Sequence, residues 1–314
     1  MTDSTINKRI ERIIEESLAF EYEDAKKAGM LGYMARSLVQ ATLPHTDPKT
    51  AYFERTNGLV TLSITGKPTV GLPYGSVPRS LLAWICTEAV LTGSQELSLG
   101  RSQAEFLDKL NMASNGNYIR SLKKQSQRLF SSMISLSAES GNDIGIENVL
   151  VAKRAFLFWN TKNPEERSLW DSTLTLTAEF FEEVTRSPVP VDLRVLNALR
   201  QSPMSMDIYT WACYRQYLMK VSGHGIVHIP WVALMRQFGS SHGNKISASG
   251  DPKEIEAKAN QALRNFKHAF LKRLREVAVF YPELGEAATD TGTVLQLKSV
   301  RLHIAPEMKN KIKV

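Results

Sequence analysis

The sequence predicts an α+β fold in which one order of elements (helix, strand, helix, helix, hairpin) is used twice behind an N-terminal helical extension. Two observations carry this prediction. The 314 residues exceed the usual size of one compact domain. The stretch Asp251 to Glu276 reads as a long helix with one apolar and one basic side, in the third place of the second copy.

The first element expected is an amphipathic helix over residues 4–28, where Ile6, Ile10, Ile13, Ile14, Leu18, Tyr22 and Ala25 recur at helical spacing. Its apolar side suits docking on the first domain or pairing with a partner helix. Residues 52–64 alternate around Asn57-Gly58, whose two positions tolerate positive φ, so a hairpin is expected there. After the segment GLPYGSVP a helix runs from Arg79 to Leu91, a strand from Glu96 to Leu99, and a helix from Ser102 to Leu110. Ser102 and Glu105 form a capping box at the start of the last of these. Asn115-Gly116 turns the chain into a third helix to Phe130, whose stripe Ile119, Leu122, Leu129 and Met133 is expected to face the core. A strand to Glu139, the turn SGND and a return over Val149 to Phe158 complete the copy as its hairpin.

Residues 161–190 hold three prolines and one helical piece, Ala178 to Thr185, and read as a linker. The second copy follows, with a helix Ser205 to Lys220, a strand Ile226 to Ile229, a helix Pro230 to Phe238 and a loop over 239–250. Asp251 and Pro252 are suited to cap and open the next helix, with Glu254 completing a capping box. Its stripe is Ile255, Ala259, Ala262, Leu263, Phe266, Phe270, Leu274 and Val277. Strands at Val277 to Tyr281 and Thr293 to Ile304, around the loop PELGEAATDTG, close the chain. The order of each copy is that of a winged helix, whose third helix enters the major groove. The expected organisation is therefore 1–70 helix and hairpin, 71–160 winged-helix domain 1, 161–190 linker and 191–314 winged-helix domain 2.

Charge points to the partner. The last 114 residues hold 16 Lys and Arg against 9 Asp and Glu, so the whole net charge of +7 lies there. Such asymmetry suits an anionic partner, nucleic acid before a membrane surface. From Lys258 to Arg275 six bases occur with no acid, whereas a merely solvated helix interleaves both signs. Outward positions there are Lys258, Gln261, Arg264, Asn265, His268, Lys272 and Arg275. Arg264 suits a guanine edge, Gln261 or Asn265 an adenine edge, and Lys272 and Arg275 suit phosphates. The third helix of the first copy carries Asn117, Tyr118, Arg120, Ser121, Lys124 and Arg128 in the same sense, four bases without an acid over residues 117–130.

Catalytic patterns are weaker. ITGKPT lacks the first glycine of a phosphate loop, since Thr61 stands there, and Pro68 interrupts the helix start. Tyr217 and Lys220 have the spacing of a nicking enzyme, without the paired histidines of its metal, and a core tyrosine is expected. His224 and His228 make no convincing metal site, and the lone Cys86 and Cys213 read as small buried side chains. Neither metal nor cofactor is expected. With 43 % hydrophobic and 23 % charged residues and no long apolar run, a cytoplasmic protein away from the membrane is expected.

Residues 71–112, GLPYGSVPRSLLAWICTEAVLTGSQELSLGRSQAEFLDKLNM, together with Gln127-Arg128-Leu129-Phe130 resemble plasmid replication initiators of the RepA type, and IPWVALMRQFG at 229–239 extends the likeness. The resemblance implies a non-catalytic initiator that binds repeated origin sequences (iterons), helps open AT-rich DNA and draws in the host initiator and helicase. It also implies a homodimer through the first domain. A transcriptional repressor of similar build, or a rolling-circle nickase using Tyr217, are the alternatives.

Overall fold

The computed structural model describes residues 30–40, 42–57, 60–140, 143–239 and 252–304. The helix expected over 4–28, the turn residue Gly58, the middle of SGND, the loop beyond Gly239 and the cap Asp251 lie outside the described residues.

The described chain opens with β1 (Leu31–Met34) and a short helix α1 (Arg36–Gln40), then the hairpin β2 (Tyr52–Asn57) and β3 (Val60–Thr65). α2 (Ser76–Thr92) ends on Gly93, whose φ of 62° is the left-handed cap that spares a side chain strain. β4 (Glu96–Gly100) leads into α3 (Gln103–Lys109). Ser102 accepts from the Glu105 amide at 3.1 Å, and the Glu105 carboxylate accepts from the Arg101 amide at 3.0 Å. Gly100 lies at φ 86°, where a Cβ would fall 2.6 Å from that carboxylate, so glycine is required. α4 (Gly116–Phe130) is capped by Asn115, whose side chain accepts from the Asn117 and Tyr118 amides. β5 (Met133–Ser140), β6 (Asp143–Val149), β7 (Ala152–Phe156) and β8 (Ser172–Leu176) follow.

Strand pairing reassigns the wing. The expected hairpin, a strand to Glu139 returning over Val149 to Phe158, is split: β5 turns back at once into β6 and joins the earlier hairpin in a four-stranded sheet of order β2-β3-β5-β6, and the expected return strand is β7. In its backbone register Leu62 pairs with Leu136 and Ile64 with Ile134. The wing is β7–β8, which pairs with β4 in the order β4-β8-β7, the strand order of a winged helix. Hence Ser172–Leu176, inside the stretch expected as linker, is the central strand of the first domain's sheet. Met133, expected on the core stripe, is 43 % exposed because the chain has already left the helix.

α5 (Ala178–Arg186), β9 (Val189–Asp192), α6 (Leu193–Ala198) and a 3-10 turn lead to α7 (Pro203–Val221), opened by Pro203 and the Ser202 side chain. β10 (Ile226–Pro230), α8 (Trp231–Phe238), α9 (Pro252–Ala278), α10 (Pro282–Ala287), β11 (Ala288–Asp290) and β12 (Val294–Lys298) complete the second domain. Its sheet runs β10-β12-β11, the same winged-helix order. Two expected details change. Val277 continues α9 instead of starting a strand, and PELGEA forms α10 because Pro282 can open a helix that then leads into β11.

The domains share one continuous apolar core. β1 pairs with β9, and Leu38, Val39 and Leu43 of the leading segment are buried. In the second domain Phe270 anchors an aromatic cluster, its ring 5.4–6.2 Å from those of Trp211, Trp231, Phe238 and Phe266. Cys86 and Cys213 are buried free thiols, and burial pushes the Cys213 thiol up to about 12.

Candidate nucleic-acid interface

Each copy presents its third helix outward. On α4 the buried positions are Ile119, Leu122, Gln125, Ser126, Arg128 and Leu129, one face every three or four residues. Asn117, Arg120 and Lys124 are exposed opposite them, with Ser121 half-buried. Arg120 donates to the Asn117 side chain at 3.1 Å, and Lys123, not among the expected contacts, is also exposed. Tyr118 is half-buried, with the Arg200 guanidinium 5.1 Å from its ring centre, which makes it a packing residue first.

Arg128 departs from the expectation. Only 7 % exposed, it donates to the Leu72 carbonyl at 3.0 Å, pairs with Asp47 at 3.3 Å and lies 5.0 Å from the centre of the Tyr74 ring. Gln125 beside it accepts from the Tyr74 amide at 3.0 Å. Both therefore clamp the loop LPY to the back of α4, away from its exposed side. The sequence concealed this because a basic run counts charges and not the helix side on which each falls.

On α9 the stripe is buried at Phe266, Phe270, Leu274 and Val277, whereas Lys253 to Gln261 are exposed except for half-buried Ile255. Ala259, expected in the stripe, is exposed for that reason. The first turns of α9 are thus exposed on nearly every side. Lys258, Gln261, Arg264, Asn265, His268 and Arg275 are exposed and Lys272 half-buried. Arg264 donates to Gln261 at 2.7 Å and Gln261 to Asn265 at 2.8 Å, so three candidate base readers hold one another in place. Lys258 lies 3.6 Å from Glu254, an exposed pair of small value.

Two other bases of α9 are committed to the protein. Arg273 bonds Glu276 at 2.5 Å, and Lys267 pairs with Asp290 at 2.7 Å. Lys267 also donates to the Gly292 carbonyl at 3.0 Å and lies 5.4 Å from the centre of a Trp231 ring. Asp290 further accepts from the Trp231 indole at 3.0 Å and the Gly292 amide at 2.9 Å. Burial alone would raise its pKa, but these donors hold its carboxyl below the usual range. The exposed wing tip Thr291-Gly292-Thr293 is thereby fixed beside α9, a relationship the sequence does not spell out.

Tyr217, expected in the core, is 43 % exposed on α7. Among the described residues no group of three His, Cys, Asp or Glu is placed to hold a metal ion, and no helix is long and apolar enough to cross a membrane.

No curated protein matches the chain. Two solved structures of RctB resemble it. The crystal structure of a selenomethionine form of RctB domains 2 and 3 aligns with a TM-score of 0.48 and 12 % identity, covering 85 % of this chain and 97 % of that one. A second crystal structure of RctB domains 2-3 aligns with a TM-score of 0.44 and 13 % identity, covering 82 % and 84 %. The family model of the plasmid encoded RepA protein matches residues 72–231, just over half of the chain. It spans α2, α3, α4, the wing β7–β8 and α7, the elements that build the first winged helix and join it to the second. On that match the chain belongs to the family of plasmid encoded RepA proteins, the plasmid replication initiators.

Proposed function

We propose that this protein binds repeated sequences, the iterons, at a plasmid origin through α4 and α9, promotes opening of adjacent AT-rich DNA, and recruits the host initiator and helicase. The observation that carries this reading is the pair of third helices, each in a winged-helix frame and each with an outward side of bases and amides and no acid from Asn117 to Phe130 or from Lys258 to Arg275. Asn117, Arg120, Ser121 and Lys124 act in the first helix. Lys258, Gln261, Arg264, Asn265, His268, Lys272 and Arg275 act in the second. Tyr118 supports its helix, and Arg128 is withdrawn from the contact set. The protein works in the cytoplasm by binding and deforming DNA, without a bond-making step, as a monomer or as a dimer through its first domain.

The test is footprinting on the protein's own plasmid, with salt-dependent binding and a permanganate probe for unpaired thymines. Protection of spaced repeats over about two helical turns each, with nearby thymines becoming reactive, is the expected outcome. Protection without unpairing would assign the repressor reading instead. Because Tyr217 is exposed, the nickase reading also receives its own arm: a covalent tyrosyl-DNA adduct on supercoiled origin DNA, lost in Tyr217→Phe, would replace the proposal.

A further inference from the structure

The joint between the two winged helices contains a cavity of about 440 Å³, lined by none of the candidate DNA-contacting residues. One wall is the strand pair β1–β9, where Tyr33 stands opposite Pro190 and Leu31 opposite Asp192 in the register. The Tyr33 amide donates to the Thr87 hydroxyl at 2.9 Å, which ties this wall to α2. The second wall is α7, where Tyr214, Tyr217 and Leu218 fall on one side at spacings of three and four. The closing segment Leu302-His303-Ile304 forms the third. The His303 ring is set there by contacts with Tyr209 at 5.5 Å and Tyr281 at 5.0 Å, and Ile304 is buried. All three walls are thus anchored to the core before any ligand arrives. Small-molecule sites are pre-formed clefts of this kind, of about 300–1,000 Å³, and favour domain joints.

The charge of the lining selects the ligand. Arg36 at the start of α1 and Arg186 at the end of α5 both line the cavity, and both are exposed. Among the described residues Arg36 has no ion pair, and Arg186 has only a 3.7 Å contact with exposed Glu182, a pair of small value. No acid among the described residues lines the cavity. The Tyr217 hydroxyl likewise makes no hydrogen bond among the described residues. An apolar and aromatic lining with two uncompensated guanidinium groups matches a molecule that has an apolar body and an acid group. We propose that this cavity binds a small organic anion. Its aromatic or apolar body lies against Tyr33, Tyr214 and Tyr217, and its carboxylate, sulfonate or phosphate group pairs with Arg36 and Arg186. Because the walls come from both domains, occupancy stabilises the joint between them.

The experiment is fluorescence titration of the full chain with two dyes. Anilinonaphthalene sulfonate is an aromatic anion that brightens away from water, and phenylnaphthylamine has the same body without the acid group. The parent is expected to bind one sulfonate per chain, saturably, and to melt at a higher temperature in its presence. R36Q/R186Q removes both charges at exposed positions and should weaken the sulfonate roughly 10-fold while leaving the neutral dye unchanged. Tyr217→Ala should weaken both dyes, since it removes a wall. No saturable binding by the parent, or parent-like affinity of R36Q/R186Q for the sulfonate, overturns the proposal. Equal losses of both dyes in R36Q/R186Q would make the arginines part of the cavity's shape and not partners of an anion, and also overturn it. Displacement of the sulfonate by origin duplex would put the dye on the DNA-reading helices, with the same consequence.

Discussion

Arg79 on α2 donates from Nε and Nη2 to the two oxygens of Asp207 on α7, at 2.6 and 2.7 Å, both residues buried, and so joins the two winged helices. The same guanidinium also donates to the carbonyls of Leu43, Pro44 and Gly75, and its fork is spent without water. Burial alone would raise the pKa of Asp207, yet Arg79 and the His45 hydrogen bond hold it below the usual carboxylate range. Asp207→Ala would leave a buried guanidinium uncompensated, at a cost of about 3–5 kcal/mol. The double replacement Arg79→Met with Asp207→Leu should recover most of this, because it removes both charges and keeps volume. Urea unfolding of the two variants checks the pair; a loss below ~1 kcal/mol for Asp207→Ala would show that the domains do not depend on it.

His45 gives the joint a pH dependence. Its Nε2 lies 2.8 Å from Asp207, which favours the charged ring, but burial lowers its pKa to about 4. Arg79 already occupies the Asp207 carboxylate and, with Arg55, adds positive charge nearby, so the buried ring stays neutral. Unfolding returns the ring to about 6.5. Between those values the unfolded chain binds the extra proton, so stability rises with pH from about 4 to 6.5 and is lost as pH falls through that window. Its full extent is on the order of 3 kcal/mol. Melting at pH 5 and pH 7 should therefore differ less for His45→Asn than for the parent; equal differences would count against a neutral buried imidazole.

Arg128 and Lys124 separate structure from binding on one helix. Arg128→Ala should lower the melting temperature, since it frees Asp47, the Leu72 carbonyl and the face of Tyr74 together. Lys124→Ala, at an exposed position, should leave melting within ~0.5 kcal/mol of the parent and weaken DNA binding at low salt. Unchanged melting of Arg128→Ala would return that residue to the binding surface.

These residues also show what the sequence makes legible. Periodicity located α4 and α9, because burial of Leu122 or Phe270 repeats every three or four residues whatever else surrounds them. Strand pairing is not periodic. β5–β6 and β7–β8 both follow the third helix as alternating hairpins, and only the partner strand distinguishes the wing: β3 for one, β4 for the other. Partners brought from 128 residues away are equally silent, so Arg79 reads as one more helix base until Asp207 meets it. Lys267, similarly, is indistinguishable from Lys272 in the one-sign run.

That last pair yields the sharpest separation of roles. Lys267 bridges α9 to the second wing through Asp290 and the Gly292 carbonyl, whereas Lys272 forms no ion pair among the described residues. A phosphate contact reveals itself by counterion release, each one lost reducing the slope of log K against log salt by about one. Lys272→Ala should show that reduction and weaken all sequences alike. Lys267→Met should instead lower origin affinity several-fold with little change of slope, because the wing tip is displaced while the number of phosphate contacts on α9 stays the same. Asp290→Asn should reproduce it without altering any base on the protein. Arg264→Ala supplies the contrast, with a cost of about 1–3 kcal/mol confined to one base position in a binding-site selection. A slope reduced by one in Lys267→Met, with Asp290→Asn unaffected, would transfer Lys267 from the wing to the DNA.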